Sequence, residues 1–197
     1  MGDLPDIAVI KVALRQQAFA VRKQAHAASA GAAEAARDHF LASRVHTGAG
    51  IISGYCPIRT EIDVLPLMKA LHEAGHRLCV PVIDGAGLPL SFREWWPGVP
   101  MEAGPFGAEV PAGTDVLVPE LLIAPLVAFD LEGWRLGYGG GFYDRTLEML
   151  RSRRRTRAYG YAYSAQQIDA VPTEPTDQRL DGIVTELGLI GARLDAA

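Results

Sequence analysis

The decisive stretch of this chain reads RLGYGGGFYDR and runs from Arg135 to Arg145. Four glycines occupy five positions here, between a predicted buried strand and a predicted helix. A backbone without Cβ atoms can approach a ligand closely and turn its N–H groups toward it. The unpaired N–H groups at the start of the following helix suit phosphate, and Arg135 adds a permanent cation. The stretch therefore predicts a phosphate-binding loop.

Asp144 is a carboxylate beside this predicted anion site. It would repel phosphate unless a divalent cation lay between them, so it is a candidate Mg²⁺ ligand. Two simpler interpretations remain open, since the glycines could form only a tight connection and Asp144 could cap the following helix. No Gly-Lys-Ser/Thr follows, and the regular dinucleotide fingerprint is absent. The loop alone thus indicates phosphate without naming the ligand.

On both sides of the glycine-rich loop, predicted strands alternate with predicted helices along the sequence. This alternation predicts an α/β fold with a largely parallel sheet and helices on both faces. The interval 97–114 is expected to be an ordered loop, and the whole chain, 1–197, a single domain. We predict two helices within 5–44, divided near 28–31 where Ser29 could cap the second, a strand at 50–55, a helix over 61–74 that stops at Gly75, strands at 78–83, 90–95 and 121–128, a helix over about 143–151, and strands at 159–163 and 183–185.

The first predicted helix combines an apolar stripe with two cations. Lys11 and Arg15 are four residues apart and so share one helical face, beside the stripe. Taken alone, such a pair is more often a solvated helix face. The stripe consists of Ile7, Ile10, Leu14, Ala18 and Val21, at three- and four-residue spacings.

Composition excludes several classes of protein. The 197 residues are 49% hydrophobic and 21% charged, which excludes global disorder. With 19 basic and 23 acidic residues the net charge is −4, which disfavours general nucleic-acid binding. Two cysteines, Cys56 and Cys79, make a disulfide scaffold very improbable. Neither a basic leader nor an apolar run long enough for a bilayer occurs, so we expect a cytoplasmic protein with no membrane partner.

The whole chain resembles the 5-formyltetrahydrofolate cyclo-ligase family, also called methenyltetrahydrofolate synthetase. The glycine-rich stretch looks like the signature of that family, and the resemblance extends from about residue 8 to 190. The other matching segments are, in order, Lys11-x-x-x-Arg15, Tyr55-Cys56-Pro57 through Glu61-Ile62-Asp63, Phe92-Arg93-Glu94-Trp95 with Phe106-Gly107, Ala128-Phe129-Asp130, Pro172 through Asp177 to Leu180-Asp181, and Ile183-Val184-Thr185-Glu186.

This resemblance implies an activity and a fold. The activity is an ATP- and Mg²⁺-dependent ring closure that converts 5-formyltetrahydrofolate to 5,10-methenyltetrahydrofolate, with release of ADP and phosphate. The fold is a three-layer α/β/α arrangement related to the sugar-phosphate isomerase and CoA-transferase group. The expected partners are two small molecules, ATP and the folate, and the expected state is a monomer.

The resemblance also implies roles for residues that match the family. Lys11 and Arg135 would act in catalysis, Cys56 and Glu61 would contact the folate, and Asp144 and Asp177 would hold Mg²⁺. Two positions depart from the usual pattern, because Phe142 stands where tyrosine is common and Tyr138 where arginine is frequent. The ATP-binding positions would be Lys11, Arg15, Arg135, Leu136, Gly137, Tyr138, Gly139, Gly140, Gly141, Phe142 and Tyr143, and Tyr138, Gly139, Gly140, Gly141 and Phe142 would also contact the folate.

Several of these residues also have simpler structural interpretations. Glu61 could be a first-turn residue favoured by the helix dipole, and Asp177 could belong to an Asx turn. Cys56 is expected to be a buried pocket residue and not a nucleophile.

The alternative functions are an isomerase or CoA-transferase-like enzyme acting on a phosphorylated small molecule, or a non-catalytic nucleotide-binding regulator. Arginines at 151, 153, 154, 155 and 157 indicate a solvated helix end or an anion contact, and Trp95, Trp96 and Trp134 either wall a pterin pocket or pack ordinarily.

Overall fold

The structure is a computed structural model that describes residues 6–104 and 109–191. Phe106 and Gly107, part of the resemblance noted above, lie outside the described residues. Within these ranges the α-helices are α1 (Ile7–Ala28), α2 (Ala32–Ser43), α3 (Leu65–Glu73) and α4 (Phe142–Arg153). The strands are β1 (Ile51–Ser53), β2 (Arg77–Val82), β3 (Ser91–Trp95), β4 (Met101–Ala103), β5 (Glu109–Pro111), β6 (Leu121–Pro125), β7 (Ala128–Phe129), β8 (Arg135–Leu136), β9 (Arg157–Tyr161), β10 (Gly182–Thr185) and β11 (Gly188–Ile190).

Seven strands form the central sheet in the order β11-β10-β9-β6-β1-β2-β3. The five inner strands are parallel to one another, and the two edge strands, β11 and β3, are antiparallel to their neighbours. At the centre, Ile52 is in register with Leu78 on one side and Leu121 on the other. The mainly parallel sheet predicted from the sequence is confirmed.

Helices cover both faces of this sheet. Side chains alternate between the faces along each strand, so Leu121 and Ile123 belong to one core and Leu122 to the other. The first core includes Phe40 of α2 together with residues of α3, and the second includes residues of α4. The three-layer α/β/α architecture is therefore confirmed.

Gly160, on the inner strand β9, allows the second core to close. A Cβ atom at this position would lie 2.6 Å from Leu126 Cδ2 and 2.8 Å from Ile183 Cδ1. Both distances are below ordinary contact, so the absence of a side chain lets two branched residues meet over the strand.

Helix α1 lies across the carboxyl ends of the parallel strands. Ala18 packs with Val127 and Leu136, and the Arg22 guanidinium donates to the Leu126 carbonyl just beyond β6. Its N-terminus is capped by Asp6, whose carboxylate accepts from the Ala8 N–H at 3.0 Å. The helix thereby forms one wall of the space above the sheet.

The predicted apolar stripe of α1 is only partly correct. Ala18 is buried, but Ile7, Ile10 and Leu14 are half-buried and Val21 is 39% exposed. Two of the most buried side chains of the helix are instead those of Lys11 and Arg22. The sheet edge offers carbonyls and carboxylates, so the buried face of α1 carries cations.

Several predicted boundaries also shift. Ser29 does not cap α2; it is the C-cap of α1, while Gly31, with φ of +80°, precedes α2. The helix expected from residue 61 begins at Leu65, because the Asp63 side chain accepts from the Leu65 N–H and Pro66 fits only the first helical turn. It ends before Gly75, as predicted.

Two strand predictions need similar correction. The strand expected over 121–128 divides into β6 and β7 after Pro125, and β7 pairs with β8 outside the main sheet. The interval 97–114 is not only loop, since β4 and β5 form a two-stranded ribbon. Across the described ranges, none of the helices combines the length and the apolar character needed to cross a bilayer.

Candidate functional site

A cavity of about 650 Å³ opens at the carboxyl ends of the parallel strands. Its volume is typical of small-molecule sites, and its position is where α/β folds bind ligands. Every residue predicted for the site lines this cavity. The lining consists of Lys11, Arg15, Tyr55, Cys56, Ile58, Glu61, Pro81, Val82, Ile83, Leu90, Glu109, Val110, Pro125, Arg135, Leu136, Gly137, Tyr138, Gly139, Gly140, Gly141, Phe142, Tyr143, Asp144, Arg145, Glu148, Glu174, Thr176 and Asp177.

Lys11 is not part of a solvated helix face. It is 7% exposed, and its ammonium donates to Glu174 at 2.6 Å and to Asp177 at 2.8 Å. Burial alone would lower the pKa of Lys11, but the hydrogen bonds and charges of these two carboxylates outweigh it and raise the pKa. Lys11 is therefore a cation held by two carboxylates at one end of the cavity.

Arg15 is connected directly to the glycine-rich loop. Its Nε donates to the Gly137 carbonyl at 2.9 Å. A Cβ atom on Gly139, where φ is +100°, would lie 3.3 Å from the Arg15 Cζ. Glycine at 139 therefore meets two needs, an unusual backbone conformation and close approach of a guanidinium.

The far side of the same loop is fixed by an ion pair. Arg135 donates to Asp144 at 2.8 Å and also to the Gln178 carbonyl, and only 4% of its side chain is exposed. The same oxygen of Asp144 accepts from the Gln178 N–H at 2.9 Å. Asp144 does not cap α4, because Gly141 occupies the N-cap position. The pair instead ties the loop to the segment that carries Asp177.

Asp177 makes a local contact other than the Asx turn considered from the sequence, because its carboxylate accepts from a residue three positions earlier. Its Oδ2 accepts from the Glu174 N–H at 2.8 Å, which forms a local turn, and from the Lys11 ammonium. Asp144, Glu174 and Asp177 all line the cationic end of the cavity. Side-chain carboxylates thus stand beside Lys11 and Arg135, the two cations predicted to act there.

These carboxylates suit Mg²⁺ only when a bound molecule supplies further oxygen donors to the ion. Within residues 6–104 and 109–191, no group of three or more His, Cys, Asp or Glu side chains is arranged to hold a metal ion. Mg²⁺ commonly needs fewer protein groups, since one or two carboxylates, phosphate oxygens and water complete its shell. Asp144 and Asp177 supply donors of that kind.

The other end of the cavity carries Glu61 and Cys56. The segment that bears them is fixed by the Tyr55 hydroxyl, which donates to the Ile62 carbonyl at 2.8 Å. Glu61 accepts from the Ile58 N–H at 2.9 Å and lies before α3, so it is not a first-turn residue of that helix. Burial raises the pKa of the Glu61 carboxyl, against the hydrogen bonds from Ile58 and Tyr138. It likewise raises the pKa of the Cys56 thiol, as expected for a pocket residue and not a nucleophile.

Tyr143 adds an unsatisfied polar atom to the cavity wall. Its hydroxyl oxygen is buried without a hydrogen-bond partner, and burial raises its pKa further above the usual value. A buried hydroxyl of this kind can donate to a bound ligand without displacing another contact. The neighbouring Phe142 ring instead packs against the Arg145 guanidinium, whose Cζ lies 5.4 Å from its centroid.

Two residues at the site were missed from the sequence. Glu174 holds Lys11; it lies within the matching segment that runs from Pro172 to Asp177, but no role was predicted for it. Arg22 is completely buried and lies 3.9 Å from Glu61. Its spacing is informative in retrospect, because seven residues from Arg15 is close to two helical turns and places it on the same face.

Other candidate features lie away from the cavity. The tryptophans at 95, 96 and 134 are absent from its described lining, so they do not wall a pterin pocket. The arginine cluster is at the opposite end of α4, which spans about 18 Å. There Arg151 pairs with Asp181 and Arg154 approaches Glu120.

Comparison with known proteins connects this geometry to one family. The model of the 5-formyltetrahydrofolate cyclo-ligase family matches residues 8–186. A 5-formyltetrahydrofolate cyclo-ligase of Escherichia coli K12 is 39% identical over 132 residues, which cover 64% of this chain and 71% of that protein. One from Mycolicibacterium smegmatis is 30% identical over 174 residues, covering 83% of this chain and 87% of the relative.

A solved structure agrees with these sequence matches. The 5,10-methenyltetrahydrofolate synthetase of Aquifex aeolicus superposes with a TM-score of 0.73 at 26% identity, over 95% of both chains. The likeness thus extends over nearly the whole molecule. By both sequence and architecture, the chain is an enzyme that belongs to the 5-formyltetrahydrofolate cyclo-ligase family.

Proposed function

We propose that this protein catalyses the ATP-dependent cyclisation of 5-formyltetrahydrofolate to 5,10-methenyltetrahydrofolate, with release of ADP and phosphate. One observation carries the proposal: a single cavity has a cationic, glycine-rich end and, at the other end, a buried carboxylate beside apolar side chains. The first end suits a triphosphate, and the second suits a ring that presents N–H donors.

The two ends correspond to two chemical tasks. A formyl oxygen is a poor leaving group, and phosphorylation makes it a good one. The bond from the γ-phosphorus of ATP to the bridging oxygen breaks, ADP departs, and a new bond joins the phosphorus to the formyl oxygen. N10 then attacks the formyl carbon and loses its proton, and phosphate leaves with the former formyl oxygen. One cavity that holds both substrates supplies the proximity that each step needs.

In this mechanism the protein binds and stabilises charge. Lys11 and Arg135 would face the charge that develops on the transferred phosphoryl group, and Arg15 would support the loop on the other side. The N–H groups of the loop residues Leu136 to Tyr143 would bind phosphate oxygens. Their orientation is maintained by the contacts of Arg15 with Gly137 and of Arg135 with Asp144.

We assign Asp144 and Asp177 to Mg²⁺ bound together with ATP. Bound there, the ion would neutralise part of the phosphate charge. Asp177 now accepts from Lys11, so loading of the site would exchange that partner and leave Lys11 available for a phosphate oxygen. Glu174 would keep its own contact with Lys11 after such an exchange.

Cys56 and Glu61 are assigned to the folate end of the cavity. A carboxylate only accepts hydrogen bonds, so Glu61 would bind N–H donors of the pterin ring. Cys56, with a thiol pKa raised by burial, would contact the ring as an apolar group. The loop residues Tyr138, Gly139, Gly140, Gly141 and Phe142 would border both substrates.

The test is a direct assay of the purified protein with Mg-ATP and 5-formyltetrahydrofolate, following the absorbance of methenyltetrahydrofolate. We expect product that depends on both substrates and one ADP per turnover. ATP binding without product would instead favour the non-catalytic regulator, and absence of both would contradict the proposal. An isomerase or CoA-transferase-like activity would need no ATP hydrolysis.

We further propose that residues 1–197 act as one domain, as a cytoplasmic monomer with neither nucleic acid nor membrane as a partner. A single cooperative unfolding transition would support the one-domain proposal. A sedimentation mass near 21.2 kDa would support the monomer, and a mass near twice that value would contradict it.

A further inference from the structure

The side chain of Arg22 is fully buried beneath the wall of the cavity. It donates to Thr60 Oγ1 at 3.2 Å, to the Leu126 carbonyl at 3.3 Å and to the Tyr138 hydroxyl at 2.6 Å. Glu61 is the nearest opposite charge, with 3.9 Å between the two side chains. Burial of a guanidinium is costly, and well-packed apolar residues often replace buried ion pairs without loss of stability. Its place beside Glu61 therefore points to a role in the site.

Arg22 holds Tyr138 through both the ring and the hydroxyl. The Arg22 Cζ lies 5.2 Å from the centroid of the Tyr138 ring and 5.3 Å from that of Phe19. These are cation–π distances. Because Arg22 donates to the Tyr138 hydroxyl, that hydroxyl can turn its own proton toward Glu61, and it favours the charged form of that carboxyl. The three side chains make one linked array from α1 to the cavity.

The array places a positive charge next to the Tyr138 side chain. In the structure a cation lies directly behind the tyrosine, supplied by α1. The Tyr138 ring lines the cavity, whereas the guanidinium behind it is fully buried.

We propose that Arg22 is a positioning residue which, through Tyr138, holds Glu61 as an ionised, acceptor-only carboxylate and thereby selects a ring with adjacent N–H donors. This inference rests on the proposed function, because the pterin ring of the folate is the ligand with such donors. Arg22 touches neither substrate in this scheme. Its expected effect is on folate binding, whereas the contacts of Lys11 and Arg135 are assigned to ATP.

The array should change how folate binding depends on pH, because it acts on the charge of Glu61. Burial raises the pKa of the Glu61 carboxyl, while the Ile58 N–H, the Tyr138 hydroxyl and Arg22 act in the opposite direction. Without Arg22 or the hydroxyl, the carboxyl would protonate at a higher pH, so the acid limb of folate binding would move upward. The charged and titratable groups that act on Glu61 are Arg22 from α1, Tyr138 from the loop, Arg59 from its own segment, Tyr55 next to β1 and Tyr143 from α4.

The experiment measures the affinity for 5-formyltetrahydrofolate by calorimetry without ATP, across pH, for Arg22→Met, Tyr138→Phe and the double variant. For Arg22→Met we expect folate affinity to fall about 10- to 100-fold while the KM for ATP changes less than about threefold. For Tyr138→Phe we expect a loss of about three- to tenfold, and both acid limbs should move upward. The double variant should lose less than the product of the single losses, because the two side chains act together.

The exposed neighbour Lys23 provides the matched control, since Lys23→Met also removes a cation from α1 but lies outside the array. It should leave folate affinity and its pH dependence unchanged. Arg22→Lys, which retains the charge without the planar fork, should restore part of the affinity. If Arg22→Met does not fold, Tyr138→Phe still decides the question, because an unchanged acid limb in that variant overturns the proposal.

Two further results would overturn it. Equal loss of folate and ATP affinity in Arg22→Met would indicate a general structural defect, and multiplicative losses in the double variant would show that the side chains act separately. Failure of the proposed function is distinct, because folate could bind with the predicted array effects in a protein that forms no product.

Discussion

Arg135→Met tests the ion pair that fixes the glycine-rich loop. The methionine retains an unbranched apolar stem but removes the planar fork and its charge. In the structure that fork donates to Asp144 at 2.8 Å and to the Gln178 carbonyl, with 4% of the side chain exposed. Both the stability of the fold and the proposed phosphate site should therefore respond.

The expected loss of stability follows from these contacts. Hydrogen bonds that involve a charged group contribute about 1.5–3 kcal/mol each, which would suggest about 3–6 kcal/mol for the two. Asp144 is 26% exposed and retains the Gln178 N–H, so water and that donor compensate part of the loss. We expect the free energy of unfolding to fall by about 2–4 kcal/mol. In a domain of this size that lowers Tm by roughly 5–15 °C.

Activity should fall further than stability alone explains. Removal of a group that stabilises developing charge typically costs about 100- to 1000-fold in kcat, and we expect a loss in that range at a temperature where the variant is folded. Calorimetry gives Tm, and the methenyltetrahydrofolate assay gives kcat. The control is Arg153→Met, an exposed arginine at the far end of α4, which should change Tm by less than about 2 °C and leave kcat unaltered. Wild-type Tm and kcat in Arg135→Met would refute the reasoning.

Three further predictions concern other parts of the molecule. Cys56→Ser should retain at least about half of kcat, because the thiol is assigned a packing role and not nucleophilic attack; a loss above about 100-fold would make it a catalytic group. Gly160→Ala should lower the free energy of unfolding by about 1–3 kcal/mol in denaturant titration, since its Cβ would lie 2.6 Å from Leu126 Cδ2; unchanged stability would mean that the core yields freely. Burial lowers the pKa of His46 below its ordinary 6.5, helped by nearby cationic groups, and its Nδ1 has no hydrogen-bond partner. The unfolded chain therefore binds the proton more readily, so Tm should fall as pH drops from about 7.5 to about 5.5, and fall less in His46→Gln; equal slopes would contradict this assignment.

Much of the architecture was predictable from local pattern. The parallel strands appear in the sequence as short apolar runs. Gly75 follows the end of α3, as expected for a glycine just past a helix. The glycine-rich stretch identified the loop between β8 and α4 because glycine there reflects a direct geometric need, as at Gly139. The predicted site residues, most of which came from the resemblance, all line the cavity.

The burial of α1 could not be predicted in the same way. Periodicity assigns apolar residues to the buried side of a helix, which failed for Val21 and Arg22 because this helix rests on a polar sheet edge. The role of Glu174 was equally hidden, since its contact with Lys11 joins distant parts of the chain. The prediction that Ser29 caps α2 was also wrong, because Gly31, which has a positive φ, takes the N-cap position. In each case tertiary partners outweighed the local pattern.

The contact of Lys11 with Glu174 and Asp177 joins residues 163 and 166 positions apart in the chain. During synthesis at about 5–20 residues per second, roughly 10–30 s separate the appearance of the lysine from that of its partners. Throughout that interval the proposed nucleotide end of the cavity lacks two of its carboxylates. Binding of Mg-ATP at the proposed site would therefore begin late in synthesis, after the segment that carries Glu174 and Asp177 has been made.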